Sequence, residues 1–254
     1  MKKKINVLPA CATESESWKI NKNKVLDIVF PRRCVVCDEP VDELGKGVCR
    51  ACTGKIGYIH APFCMKCGKQ LQEEKEEYCA DCRRKKHIYI QGTALYDYGS
   101  MADSIFRFKY AGRQEYALFY GQELFEKKMA WIRVIKPDGL VPVPIHRSRK
   151  RRRGYNQAQL LAKAFSALSG IPVYDKLVVR TRKTGVQKNL SRKQRQNNLK
   201  KAFKIMQNDV KLSTIVIIDD IYTTGSTIDA VSAVLYEAGA EKVYFMALAA
   251  GRGL

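Results

Sequence analysis

The 254-residue sequence predicts an α/β protein, a mostly parallel sheet flanked by helices, with a small cysteine-rich unit in front of it. Three observations predict this. Four Cys-x-x-Cys pairs fill residues 34–82. Apolar β-branched runs then alternate with helical stripes. The strongest of those runs ends in two acids and a turn rich in threonine and glycine.

The cysteine unit comes first. Cys34/Cys37, Cys49/Cys52, Cys64/Cys67 and Cys79/Cys82 are separated by eleven residues each time. Each pair puts two sulfurs on one side of a tight knuckle, and two knuckles supply the four thiolates of a tetrahedral structural zinc site. Residues 34–52 resemble residues 64–82 at an offset of 30, with Val41 aligned to Leu71 and Val48 to Tyr78. A duplicated unit must close its own site, so sequential pairing is expected: Cys34, Cys37, Cys49 and Cys52 on one zinc, Cys64, Cys67, Cys79 and Cys82 on the other. The segment has too few apolar residues for a core, and zinc stands in for one. Closed four-thiolate sites leave no open position for catalysis. His60 and His87 are surplus to them and read as ordinary surface histidines.

The sheet elements follow. Gly139–Val143 reads as a strand. Gln157–Leu168 carries Leu160, Leu161, Ala164, Phe165 and Leu168 on one helical face, and Gly170 stops it. Leu177–Val179 is a short strand. Ser213–Asp219 is a β-branched run, a strand buried on both faces. A turn is expected over Asp220–Gly225, then a helix through Ile228, Val231, Val234 and Leu235, and a last strand over Lys242–Ala249. Alternation of this kind implies right-handed crossovers, with ligands at the carboxyl ends of the strands. Both the acid pair and the loop Pro144–Gly154 fall at that edge.

The acid pair, Asp219 and Asp220, can accept hydrogen bonds from vicinal hydroxyls and hold Mg²⁺ indirectly. Thr223, Thr224, Ser226 and Thr227 add four hydroxyls, Gly225 lets a ligand approach the backbone, and the following helix points its first N–H groups into the same turn. A Ser226–Asp229 capping box would explain one serine but neither the acids nor the threonines.

Charge is uneven. The chain has 46 basic and 25 acidic residues, a formal +21, and residues 147–204 alone hold 18 basic residues against Asp175, or +17. Such a field attracts polyanions. Four thiolates on each of two zincs lower the total to about +17. The apolar stretch Ile5–Ala10 is too short for a signal peptide and no run is long enough to span a membrane, so a cytoplasmic protein is expected, with Cys11 an incidental thiol.

The strand–acid-pair–Thr/Gly turn resembles the type I phosphoribosyltransferases. Val141-Pro-Val-Pro144, Arg153-Gly-Tyr-Asn-Gln157, the downstream Gln187, Leu190, Arg195, Asn198 and Phe203, and the segment Leu26–Cys34 resemble the ComF family, as does the combination with four Cys-x-x-Cys pairs. The resemblance spans roughly residues 24–250. It implies a tail over 1–25, a double zinc ribbon over 26–87 and a phosphoribosyltransferase-like domain over 92–254. It further implies that Asp219 and Asp220 bind the ribose of phosphoribosyl pyrophosphate and that Thr223, Thr224, Gly225, Ser226 and Thr227 hold its 5′-phosphate. His146, Arg147, Arg149 and Arg153 would face the pyrophosphate with Mg²⁺, Gln187 and Arg195 would belong to a lid, and Arg151, Arg152 and Lys193 would meet single-stranded DNA. ComF-like proteins serve natural competence beside a helicase-like partner, and related folds often form homodimers.

Two functions stay open: a phosphoribosyltransferase with an unidentified acceptor, and a non-catalytic nucleic-acid-binding adaptor that senses the phosphoribosyl ligand. Tyr96, Tyr98 and Phe106 lie where a hood over an acceptor could form, although such spacing is more often core. Tyr155, Phe165, Tyr174 and Phe203 are few for base stacking, so DNA affinity with weak sequence preference is expected. Elemental analysis of the purified chain should return two zincs per chain; fewer would contradict the duplicated ribbon.

Overall fold

The computed structural model describes residues 32–41, 47–181, 202–206 and 212–251. In chain order its elements are α1 (Ala80–Arg84), β1 (Gly92–Asp97), α2 (Tyr98–Tyr110), α3 (Tyr116–Ile135), β2 (Gly139–Pro142), α4 (Arg147–Arg153), α5 (Gln157–Ser169), β3 (Val178–Arg180), β4 (Phe203–Ile205), β5 (Thr214–Tyr222), α6 (Ser226–Glu237) and β6 (Lys242–Ala250). β1, β6, β5 and β2 form, in that order, a four-stranded sheet with every pairing parallel.

Strand side chains alternate between faces, and both faces are covered, so the central strands carry unbroken apolar runs over residues 215–218 and 243–250. Ile215, Ile217, Val243 and Phe245 enter one core with Ile228, Val231, Val234 and Leu235 of α6. Val216, Ile218, Met246 and Leu248 enter the other, with Met101, Ile105 and Phe108 of α2, Tyr116, Tyr120 and Leu124 of α3, and Leu161 and Phe165 of α5. The expected α5 stripe is therefore split: Leu161 and Phe165 are buried, whereas Leu168 is exposed.

The duplicated cysteine units straddle the sheet. The first lies on the α2–α3 side. Ser104 Oγ donates to the Val35 carbonyl, and Arg107 Nη2 to the Val36 carbonyl at 2.5 Å. Tyr116 Oη donates to Asp38 Oδ1 at 2.6 Å, and Arg113 reaches Asp38 Oδ2 at 2.7 Å. Burial alone would raise the Asp38 pKa, but the hydrogen bonds from Arg113 and Tyr116 outweigh it and hold the carboxyl below the ordinary aspartate value. The second unit lies on the α6 side, where Cys64, Cys67, Leu71 and Cys79 join the same core as β5. Gly68 there has φ +71°, and a Cβ on it would come 2.7 Å from the Thr93 Cα of β1, so only glycine allows this approach.

Short segments cover both edges of the sheet. Ile59 N donates to the Leu95 carbonyl and Asp97 N to the Gly57 carbonyl, each at 2.9 Å. On the far side Leu140 N donates to the Pro172 carbonyl and Tyr174 N to the Leu140 carbonyl, again at 2.9 Å.

Two expectations change. The strand after α5 does not extend the parallel sheet: Val178–Arg180 pairs antiparallel with Phe203–Ile205 in a separate two-stranded ribbon. The expected loop over residues 144–154 contains α4, because seven residues without glycine or proline continue readily as a helix once His146 caps it. No helix among the described residues is long and apolar enough to cross a membrane.

Replacing Asp38 by Ala leaves the buried Tyr116 hydroxyl without its carboxylate and should cost about 1–3 kcal/mol in urea denaturation. Phe165→Ala, which empties a fully buried site, should cost about 3–5 kcal/mol.

Candidate functional site

Parallel register brings the chemistry together. Pro142, the last residue of β2, pairs with Ile218, so β5 runs four residues past the end of β2. The expected turn at Asp220 is therefore strand as far as Tyr222. The two acids stand at the carboxyl end of β5, the place where ligands collect in such sheets.

Consecutive strand residues point to opposite faces, and the two acids differ accordingly. Asp220 Oδ1 lies 2.9 Å from Lys109 Nζ at the end of α2. Asp219 Oδ1 accepts the Asp220 backbone N–H at 2.9 Å. Burial, then the neighbouring Asp220 charge, raise the Asp219 pKa to about 8. A carboxyl in that state takes up a cation, or gives up its proton, at little cost near neutral pH.

The turn follows directly. Thr223 and Thr224 are exposed. Thr224 Oγ1 and Ser226 Oγ lie 3.1 Å apart. Gly225 has φ +70° and is the N-cap residue of α6, and no side chain caps that helix. The Ser226–Asp229 capping box does not form, because Asp229 is engaged elsewhere. Its Oδ2 accepts from His87 Nδ1 at 2.9 Å and pairs with Lys85 Nζ, and its Oδ1 accepts from Ile88 N at 3.2 Å. Thr223, Thr224, Gly225, Ser226 and Thr227 thus lie together at a helix start that no side chain caps, an arrangement suited to an anion.

The loop after β2 is built differently from the expectation. His146 is the N-cap residue of α4, its Nδ1 accepting from Ser148 N at 3.2 Å. Arg147, Arg149, Arg151, Arg152 and Arg153 ride on α4, and none of its residues is buried. Basic residues in its last turn complement the helix dipole. Arg153 turns to α2 and α5, with Nη2 on Tyr110 Oη at 2.8 Å and Nη1 on Gln157 Oε1 at 3.0 Å. The rest of its motif staples the loop down: Tyr155 Oη donates to the Phe108 carbonyl at 2.5 Å and Asn156 Nδ2 to the Val143 carbonyl at 3.0 Å.

Two residues that the motifs did not mark join the site. Lys109 is one. Arg180, on β3, is the other: burial, then repulsion from Arg149, lower its pKa, while Asp219 opposes the shift. Arg149 and Asp219 thus both act on Arg180, which puts these cations in the same electrostatic neighbourhood as the acids. Both residues lie in ordinary helix-end and strand contexts, so no local pattern could have singled them out. Gln187, Lys193 and Arg195 lie outside the described residues.

Of the aromatics, Tyr96 is core. Phe106 and Tyr110 are exposed, 5.0 Å apart, and Arg153 stacks over Tyr110 at 4.6 Å. His60 is exposed as expected, whereas His87 is not a surface residue; its side chain has 0% exposure.

The thiols pair sequentially. Sulfurs of Cys34, Cys37, Cys49 and Cys52 lie within 4.8 Å of one another, as do those of Cys64, Cys67, Cys79 and Cys82. The Cys37–Cys49 and Cys67–Cys79 sulfurs are 3.8 and 3.7 Å apart. Tetrahedral zinc with bonds of about 2.3 Å demands roughly 3.8 Å between sulfurs, so both sets fit the metal.

Comparison with known proteins agrees. Residues 25–83 match the double zinc ribbon domain and residues 151–253 the phosphoribosyl transferase domain. The chain is 30% identical to Competence protein F of Haemophilus influenzae over 228 residues, 87% of this chain and 97% of the relative. It is 29% identical to DNA utilization protein YhgH of Escherichia coli K12 over 222 residues, 85% of this chain and 96% of the relative. It is 28% identical to Competence protein ComFC of Bacillus subtilis over 200 residues, 76% and 79% of the two chains. A double zinc ribbon clamped onto a phosphoribosyltransferase sheet, in one chain that aligns with these proteins along most of its length, places it in the ComF family.

Proposed function

We propose that this chain serves DNA uptake by binding phosphoribosyl pyrophosphate with Mg²⁺ at the carboxyl edge of the sheet and single-stranded DNA over its basic surface. The observation that carries the reading is the convergence of Asp219, Asp220, the uncapped start of α6 and the Arg149–Arg180 pair on one edge. Each meets a different part of such a ligand. The acids suit ribose hydroxyls, the turn suits a terminal phosphate, and the arginines suit a diphosphate. Asp219 and Asp220 would hold Mg²⁺, which would polarise the pyrophosphate as a Lewis acid. Displacement at the anomeric carbon needs no protein nucleophile. What it needs is cationic stabilisation of the departing pyrophosphate and exclusion of water.

The relatives' names point to DNA, and the charge supports that direction. Arg151 and Arg152 are exposed on the short basic helix α4, and Arg152 lies over Tyr110 at 5.9 Å, with Phe106 beside it, so cations for phosphates and exposed aromatic rings sit together. This arrangement also supports the adaptor reading, in which the ligand regulates nucleic-acid binding, or a helicase partner, without turnover.

Calorimetry with Mg²⁺ and phosphoribosyl pyrophosphate should show binding that Asp219→Ala or Asp220→Ala abolishes while DNA binding persists. Absence of uptake by the wild-type chain would remove the phosphoribosyl reading. DNA affinity should fall steeply with salt, and Arg151→Ala/Arg152→Ala should reduce the slope of log K against log salt by up to about 1.4, at roughly 0.7 per single-strand phosphate contact.

The raised Asp219 pKa predicts a pH signature. An aspartate that ionises less readily folded than unfolded makes stability fall as pH rises from about 4 toward 8. Asp219→Asn keeps the acceptor for Asp220 N and removes that penalty. Its melting temperature should match wild type near pH 4 and exceed it at pH 8, by the equivalent of at least about 1 kcal/mol.

A further inference from the structure

The segment that leaves the second four-cysteine site runs straight onto the Thr223–Thr227 turn. His87, five residues after the last cysteine, is held there on all sides. Its Nδ1 donates to Asp229 Oδ2 at 2.9 Å; an ionised carboxylate only accepts, and burial of Asp229 is outweighed by the hydrogen bonds from His87 and Lys85 that keep its pKa low. Its ring stacks on Tyr89 at 4.9 Å and 22°. A Cβ on Gly225 would meet His87 Cε1 at 2.6 Å and the Tyr222 hydroxyl at 2.7 Å, so the turn is seated against these two rings. His87 Nε2 is buried and finds no hydrogen-bond partner among the described residues. A fold gains nothing in stability from burying such a nitrogen unpaired.

The contacts continue back to the metal site. Tyr89 Oη and Tyr222 Oη share a hydrogen bond of 2.7 Å, and Tyr222 stacks on Phe245 at 4.6 Å and 8°. Lys69, between the two knuckles of the second site, lies over the Tyr222 ring at 5.5 Å and binds Asp81, between the two cysteines of the last knuckle, at 2.9 Å. Tyr222 is the last residue of β5, and Asp229 N closes the first turn of α6 on the Gly225 carbonyl at 2.8 Å. The backbone that would meet a phosphate is thus fixed from behind by residues whose own positions depend on the second knuckle pair.

We infer that His87 is a positioning residue of the phosphate turn, and that it couples metal in the Cys64/Cys67/Cys79/Cys82 site to anion binding at Thr223–Thr227. The inference rests on the reading that this turn takes a phosphate. Coupling is reciprocal: if the ordered second ribbon tightens phosphate binding, bound phosphate must tighten that ribbon's hold on zinc by the same factor. Oxidation of those thiols or loss of their metal would then release the ligand without touching a residue that contacts it.

The test uses the full-length, zinc-loaded chain with ribose 5-phosphate as probe. That probe needs the turn but neither a leaving group nor Mg²⁺. Calorimetry would compare wild type, His87→Leu and His87→Asn, with zinc content measured for each. Leu removes the bond to Asp229, whereas the Asn amide can still donate to it. The expected result is a loss of affinity of about tenfold for H87L, within the usual range of coupling between sites, and a smaller loss for H87N, at two zincs per chain in every variant. In chelator competition, saturating ribose 5-phosphate should raise the apparent affinity for one of the two zincs by a similar factor in wild type and not in H87L. Should H87L fail to fold, H87N against wild type carries both measurements. Variants binding as tightly as wild type, or zinc retention indifferent to the probe, would overturn the coupling and leave the ligand reading intact. A wild-type chain that ignores ribose 5-phosphate would sink both.

Discussion

The site depends on the parallel registration of β5 between β2 and β6. That pairing is enforced by burial, since Ile215, Ile217, Val216 and Ile218 fill two separate cores and a one-residue slip would exchange the cores they enter. Because β2 stops at Pro142 and β5 continues to Tyr222 beside β6, the acids extend past β2 and stand level with the end of α2. An apolar packing constraint therefore decides where charge is presented. The Lys109–Asp220 ion pair follows from the same register, as it brings the end of α2 level with the acids.

The duplicated ribbons serve two faces of one scaffold. Neither has a core, and each uses the larger body in a different way. The first fastens to α2 and α3 through Asp38, Arg107, Arg113 and Tyr116, on the side that carries Lys109. The second merges its sulfurs with the apolar core beneath α6 and is followed by His87, which packs against the turn Thr223–Thr227. Equal sequence units have thus acquired unequal surroundings, one on the side of Lys109 and one behind the turn Thr223–Thr227.

Much of this was legible in the chain. A continuous β-branched run marked β5, an apolar stripe stopped by Gly170 marked α5, and the likeness of residues 34–52 to residues 64–82 gave the sequential metal sets, because each of these signals lies within a short stretch of chain. What was illegible was non-local. Nothing near His87 separates it from His60, since its burial is created by Asp229 and Gly225, more than a hundred residues away. Arg153 read as a ligand contact, but its guanidinium meets Gln157 four residues on and Tyr110, and the second of these contacts exists only because α4 docks on α2. Arg180 and Lys109 were hidden for the same reason. The end of β5 was misplaced by a turn-like composition, Asp-Asp followed by threonines, that pairing with β6 overrode.

The hydrogen bonds at Ile59, Asp97, Leu140 and Tyr174 also bear on how copies of this molecule meet. Exposed strand borders are templates for polymerisation, and here each flank is already occupied by a short stretch of the chain's own irregular backbone. At these positions the outer strands of the four-stranded sheet have already spent backbone groups on the chain itself, which blocks a neighbouring molecule from adding a strand there.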